Sequence, residues 1–343
     1  MQRFGCAPPV LRSLRTPLPV PPRVPVHLRK RYSSLRPATA VIGPCRQPGR
    51  AAAAAATGGN SGHFTKRRES TLLKPDSASW VQPVDLSGTQ ERLASCRGKI
   101  AVVTGGARGI GAQIALGLAE AGAIPAIFDI LDEPVAAEFA PILKACPQTK
   151  YYKTDVSSPD SVAASYKAVI SDFNRVDICV AAAGLIRETA FVDVPQEELA
   201  LQTQVNINGV FNTVQQAAKQ MISQGTGGSL LVIASIASHR ALRGQLGSVY
   251  IMTKCAVRGL VKQVAIELGQ YGIRINSLSP GYVQTKLAVE IATPEKVERW
   301  NAASPLGRME RPDELKAPAV FLCSDAASFV TGTDLLVDGG ATT

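Results

Sequence analysis

Tyr250 and Lys254 stand four residues apart in Ser248-Val249-Tyr250-Ile251-Met252-Thr253-Lys254, a stretch that reads as helix. Side chains four apart share one helix face, so the lysine ammonium can sit near the phenol oxygen. A free phenol titrates at about 10, too high for easy proton transfer at neutral pH. A fixed positive charge beside it favours the phenolate. The pair is therefore a candidate general acid/base. Such pairs are common as ordinary helix neighbours, and this one carries meaning only if the rest of the chain builds a cofactor site around it. Ser235 is a second candidate, because it ends the apolar run Ser229-Leu230-Leu231-Val232-Ile233-Ala234-Ser235. That run reads as a buried strand, and ligands of open α/β sheets bind outside the strands' carboxyl ends.

The elements that must position these side chains begin at Lys99-Ile100-Ala101-Val102-Val103-Thr104, an apolar β-branched run that stops at glycine. Gly105-Gly106-Ala107-Arg108-Gly109-Ile110-Gly111 follows, and then Ala112–Ala119, apolar at helical spacing. Strand, glycine turn and helix form the context of a dinucleotide-binding turn. Glycines let the backbone approach a pyrophosphate, and the helix N-terminus offers free N–H groups. The glycines are spaced G-x-x-x-G-x-G (Gly105, Gly109, Gly111) rather than G-x-G-x-x-G, and a tight strand–helix turn with no ligand is the plain alternative. A second strand, Ile124–Phe128, ends in Asp129. An acid there can bond the adenosine ribose hydroxyls and would repel a 2′-phosphate, which favours NAD over NADP. Arg108 points the other way, since it could pair with a phosphate.

Lys150–Thr154 reads as a third strand, with Asp155 and Val156 at its end placed to meet the adenine, and Ser157–Asp160 as a helix start. Val176–Gly184 is a fourth strand closing on small residues, Val205–Phe211 opens a long helix, Ile273–Ser279 is a sixth strand and Leu335–Gly340 holds a short final one. Strand and helix alternating over the whole body predict an α/β fold, a doubly wound parallel sheet (Rossmann fold) in a single domain over residues 76–343.

Residues 1–75 differ in kind. Residues 1–70 hold thirteen Lys or Arg and one acid, Glu69, so the formal charge of +10 on 343 residues is +12 there and −2 over the remaining 273. The basic character belongs to this arm, and the body loses its main support for binding nucleic acid. Rich in Arg, Pro, Ser and Ala, the arm is expected to be disordered. Its acid-free start through Arg31-Tyr32-Ser33 has the character of a mitochondrial transit peptide, giving a matrix location, or a cytoplasmic one if it is a plain basic tail. Seven scattered cysteines and three histidines show no metal-ligand spacing, so no metal is expected. Cys179 and Cys255 lie in apolar surroundings and are expected as small buried residues. No apolar run reaches the roughly 18 residues of a membrane helix.

Taken together, Thr104–Gly111, Asp155-Val156, Ala183-Gly184, Asn206, Ser235, Tyr250-x-x-x-Lys254 and Pro280–Thr285 resemble the short-chain dehydrogenase/reductase family over about residues 95–343. The resemblance implies Tyr250 as proton donor or acceptor and Lys254 as the group that lowers its pKa and holds the nicotinamide ribose. It implies Ser235 as the hydrogen-bond partner of the substrate oxygen, and Asn206 as holder of a water linking Lys254 to solvent. The backbone near Val283, with Thr285, would anchor the nicotinamide amide, and Ala182 and Gly184 would line the cofactor. It also implies a homo-oligomer, dimer or tetramer.

Two departures stand out. The family's Asn-Asn-Ala-Gly is here Ala181-Ala182-Ala183-Gly184, and Ser235 precedes Tyr250 by fifteen positions, which leaves Ser238, twelve before, as a rival. The longer spacing, with Ser235-Ile236-Ala237-Ser238-His239, is similar to the fungal polyol and ketose branch, which implies a sugar alcohol/ketose pair such as D-arabinitol and ribulose as substrate, with His239 able to bond a hydroxyl. Reduction of a 3-oxoacyl thioester on the same fold is the alternative. The segment Lys286–Met309 falls where the family keeps its substrate lid.

Overall fold

The structure, a computed structural model, describes residues 94–286, 288 and 292–343. The basic arm expected over 1–75, the start of the body at 76 and part of the expected lid lie outside the described residues. Seven strands form one sheet: β1 (Ile100–Thr104), β2 (Ile124–Asp129), β3 (Lys150–Lys153), β4 (Ile178–Ala181), β5 (Gly228–Ile233), β6 (Ile273–Pro280) and β7 (Asp334–Val337). Their order is β3-β2-β1-β4-β5-β6-β7, and every pairing is parallel. Parallel neighbours need crossover connections, which put helices on both faces. These are α1 (Gly109–Glu120), α2 (Ala136–Ala145), α3 (Pro159–Phe173), α4 (Gln196–Thr203), α5 (Gly209–Gln224), α6 (Ser248–Leu268), α7 (Pro294–Ala303) and α8 (Lys316–Cys323).

The central strands are apolar throughout because both of their faces are covered. Ile100 and Val102 of β1 join Phe128, Cys179, Leu230 and Ile275 in a core closed by α3, α5 and α6. Ala101 and Val103 join Ile127, Val180 and Leu231 in the opposite core, closed by α1, α2 and α8. Each fully buried Ile, Leu or Phe contributes roughly 1.5–3 kcal/mol, and the period of two along each strand shares this burial between the two layers. Cys179 is buried as expected, whereas Cys255 lies exposed on α6. It belongs to the outward stripe of that helix, between buried Lys254 and Val257, so apolar neighbours in sequence did not report its face.

Local signals explain most boundaries. Ser158 caps α3 by accepting the Ser161 N–H at 3.3 Å, Pro159 occupies the first turn, and Asn174 ends the helix with φ +62°. The helix expected to open at Val205 begins earlier, at Gln196, and passes through a π turn over Gln204–Asn208 into α5. Pro195 before the first turn, with Glu197 and Glu198 inside it, starts that helix. The apolar spacing of α4 is too weak to announce it. The extra residue of the π turn coincides with Asn206, which is fully buried.

Candidate active site

β1 lies between β2 and β4, so the chain reverses its direction of travel across the sheet beside it, and a crevice opens at the carboxyl ends of the strands. A cleft of about 190 Å³ lies there, with Ser235, Tyr250 and Lys254 in its wall. β5 delivers Ser235 two residues past its last member, and α6 delivers the other two. The Lys254 ammonium donates to the Ile233 carbonyl at 2.8 Å and lies 5.6 Å from the centre of the Tyr250 ring. Lys254 is buried, and burial pushes its pKa down to about 8. Half-buried Tyr250 is pushed above the usual phenol value by burial, a shift opposed by its hydrogen bond with Ser235. This reverses the direction expected from the Tyr–Lys pair. The ammonium is aimed at a strand carbonyl, and loss of water around the phenol sets the direction.

The Ser235 hydroxyl also accepts the Ala237 N–H at 3.1 Å. Its rival Ser238 is buried, donates its hydroxyl to the Ser235 carbonyl at 2.8 Å, and does not line the cleft. Ser238 thus holds the turn that presents Ser235. His239 is also turned away. Its ring is hydrogen-bonded to Asp334 on β7 at 2.6 Å and to Arg258 on α6 at 2.9 Å, which ties the turn to the sheet edge rather than offering a nitrogen to a substrate. Asn206 clamps two elements together. Its Oδ1 accepts the Leu185 N–H at 2.9 Å, while its Nδ2 donates to the Leu185 carbonyl at 2.8 Å and to the Thr253 hydroxyl at 3.1 Å. The loop after β4 and the helix carrying Tyr250 and Lys254 are therefore fixed relative to each other.

On the other side of the crevice stands the glycine turn. Gly105 has φ +66°, and a Cβ there would lie 2.8 Å from the Ala183 backbone; one at Gly111 would lie 2.2 Å from the Gly105 carbonyl oxygen. Only glycine permits so tight a turn against the β4 loop. The Thr104 hydroxyl accepts the N–H groups of Ala182 and Ala183, each at 3.2 Å, so this loop is held although its side-chain amides are missing. Ile110, Ala182, Gly184, Val283 and Thr285 all line the cleft. Arg108 caps α1 with an exposed side chain. Asp129 is buried, and its carboxylate accepts the Ala107 N–H at 3.1 Å and the Leu131 N–H at 3.3 Å, so it braces the glycine turn directly. Asp155 accepts the backbone and hydroxyl of Ser157 at 2.9 and 2.7 Å. Its neighbour Val156 packs under Gly209. At the α1 N-terminus the Gly109 N–H is already bonded to an anion, the Glu138 carboxylate, at 2.5 Å. The turn thus fits a dinucleotide: a compact backbone, an anion-accepting N–H, and an acid at the end of β2.

The family whose model matches residues 105–342 is described as enoyl-(acyl carrier protein) reductase. L-rhamnose 1-dehydrogenase (NAD(P)(+)) of Sphingomonas sp. (strain SKA58) is 38% identical over 245 residues, covering 71% of this chain and 96% of that protein. The chain belongs to the short-chain dehydrogenase/reductase family. D-threitol dehydrogenase of Mycolicibacterium smegmatis is likewise 38% identical, over 71% of this chain and 93% of its own length. The crystal structure of a short-chain type dehydrogenase/reductase from Mycobacterium marinum superposes with a TM-score of 0.70 at 37% identity, over 73% of this chain and 98% of that one.

Within this short-chain dehydrogenase/reductase, sequence reasoning placed Tyr282 in a cofactor motif and Trp300 and Met309 in the expected lid, and missed Leu242 and Gln245 on the outer cleft. Tyr282 and Trp300 stack with ring centres 5.5 Å apart and interplanar angle 16°, and both face the cleft with Leu242 and Met309. Trp300 is 2% exposed, and its indole N–H has no hydrogen-bond partner among the described residues; nor has the buried Gln245 side-chain oxygen on the same wall. Gln245 stands five residues before Tyr250 in a loop, and Trp300 fifty after it. No periodicity links them, and only the fold brings them to one cavity.

Proposed function

We propose that this NAD(P)-dependent oxidoreductase interconverts a secondary alcohol and a ketone on a polyhydroxylated substrate, a sugar alcohol/ketose pair such as D-arabinitol and ribulose. The observation that carries the reading is the pair of unpartnered buried polar atoms on the cleft wall, the Trp300 N–H donor and the Gln245 oxygen acceptor. Each buried polar group left unpaired costs about 1–3 kcal/mol. Hydroxyls both donate and accept, so a polyol that draws these two atoms out to the cleft pairs both, whereas the hydrocarbon of an acyl chain pairs neither. The named sugar and polyol activities of the two relatives support the same class.

In oxidation, Tyr250 takes the proton as the substrate O–H bond breaks, and Ser235 holds the oxygen while charge develops on it. A nicotinamide held here would supply the acceptor for the hydride on the same carbon. Lys254 supplies positive charge beneath the phenol and a donor for the ribose. Gly105, Gly109, Ile110 and Gly111 would seat the pyrophosphate, Asp129 the adenosine ribose, Asp155 and Val156 the adenine, and Val283 and Thr285 the nicotinamide amide. The Asp129 carboxylate favours NAD over a cofactor bearing a 2′-phosphate.

The test follows absorbance of the reduced cofactor, NAD against NADP, with arabinitol, mannitol, sorbitol, xylitol, threitol and rhamnose, and with an acetoacetyl thioester in the reductive direction. Turnover of a polyol or sugar is the expected result. Thioester reduction with no sugar turnover would instead install the 3-oxoacyl reading.

A further inference from the structure

The Glu138 carboxylate sits at the glycine turn, where the dinucleotide reading would bring the cofactor's phosphates. Glu138 lies in the first turn of α2, whose start is docked on the glycine turn through the Val135 N–H and the Ala107 carbonyl at 3.3 Å. One carboxylate oxygen accepts the Gly109 N–H at the α1 N-terminus at 2.5 Å, and the other lies 3.8 Å from the Lys286 ammonium. Lys286 directly follows Thr285, on the cleft wall. A helix N-terminal amide and an ammonium are the two kinds of group that recognise a phosphate, and here a single side-chain anion occupies both.

We infer that Glu138 is a built-in competitor for the cofactor's pyrophosphate, setting an upper limit on dinucleotide affinity. The inference rests on the dinucleotide reading of the glycine turn. A pyrophosphate at this turn meets the carboxylate in one of two ways. The carboxylate is displaced, giving up its bond to Gly109 and its contact with Lys286, or it stays, and two like charges share one N-terminus. Both lower affinity, and both act on the phosphates rather than on the adenine or ribose. The device keeps the turn's N–H satisfied between turnovers and favours release of the dinucleotide.

The experiment is a calorimetric titration of the full chain and of Glu138→Gln and Glu138→Ala with NAD, ADP-ribose and adenosine, at low and high salt. Melting curves establish that both variants are folded. Binding of NAD and ADP-ribose should tighten about three- to tenfold in both variants, with a smaller gain at high salt, while adenosine, which has no phosphate, is unchanged. Unchanged or weaker binding of ADP-ribose in Glu138→Gln would overturn the inference, and so would an equal gain for adenosine, which would place the effect on the turn as a whole. Failure of the parent chain to bind NAD at all would sink the dinucleotide reading, and that outcome is distinct from binding that the substitutions leave unimproved.

Discussion

Lys254 should be a residue that this fold keeps at a loss. It is 5% exposed, and burial moves its pKa from 10.5 down to about 8. The ammonium is disfavoured in the folded state, so below pH 8 the group is charged in both states and the whole penalty applies. The penalty fades as pH rises from 8 towards 10.5, where the unfolded chain also loses its proton. At 1.36 kcal/mol for each tenfold change in proton affinity, the loss at pH 7 is about 3 kcal/mol. Lys254→Met keeps the length of the side chain and removes the charge, at the loss of the bond to the Ile233 carbonyl, about 1 kcal/mol. The variant should therefore be more stable at pH 7 by about 2 kcal/mol, a rise in Tm of about 4–8 °C for a domain of this size, while turnover is abolished. Urea melts of parent and variant at pH 7 and pH 9.5 provide the check. The variant's advantage should shrink by about 2 kcal/mol between the two, because groups common to both chains cancel. An advantage independent of pH, or a variant less stable at pH 7, would refute the claim that desolvation of this ammonium is what the site sustains.

Four further outcomes follow from the geometry. Tyr250→Phe should lower kcat by about 10³-fold or more, with NAD binding by calorimetry unchanged. Ser235→Ala should lower kcat by about 10²-fold, whereas Ser238→Ala should retain activity within a few-fold and lose about 1 kcal/mol of stability with its bond to the Ser235 carbonyl; the reverse ranking would exchange their roles. Asp129→Ala should relax the preference for NAD over NADP and also destabilise the chain by about 1–3 kcal/mol, since the N–H groups of Ala107 and Leu131 lose their acceptor. Glu310 is partly buried, and burial, with the nearby Glu314 charge, raises its pKa to about 8 against the opposing Gly281 backbone N–H. A raised carboxyl stabilises the fold below its unfolded value of 4.5 and loses that contribution as pH climbs to 8, so Glu310→Gln should gain about 1–2 kcal/mol at pH 8 and little at pH 5, read by melts at both.

What could be read in the chain was what the backbone itself specifies. β1, β2, β4 and β5 were legible because strands covered on both faces are largely apolar, while β3, β6 and β7, which carry polar residues, were legible from their place in the strand–helix alternation. Gly105 and Gly111 were legible because a contact of under 3 Å to backbone leaves no other residue possible. Tyr250 and Lys254 were legible because four residues make one helix face. The early start of the helix at Gln196 was not, since α4 carries little amphipathic signal and its π turn leaves no trace in residue type. The exposure of Cys255 was not legible either, because hydropathy of neighbours gives composition and not facing.

The electrostatic balance of the site was hidden for a different reason. Residue types place a positive charge next to a phenol, and from that alone the phenol should be acidified. Whether it is depends on how much water the fold removes from each group and where the ammonium points, and here it points at the Ile233 carbonyl. The same limit applies to Glu138, whose partner lies 29 residues away in the glycine turn, and to Gln245 and Trp300, which only the fold brings to one cleft. The groups that carry out the hydride chemistry sit at positions fixed by local geometry. On the proposed readings, those that set affinity and choose the substrate are side chains remote in sequence. The choice of substrate in this chain, on the proposed reading, rests with Gln245 and Trp300 rather than with Ser235, Tyr250 and Lys254.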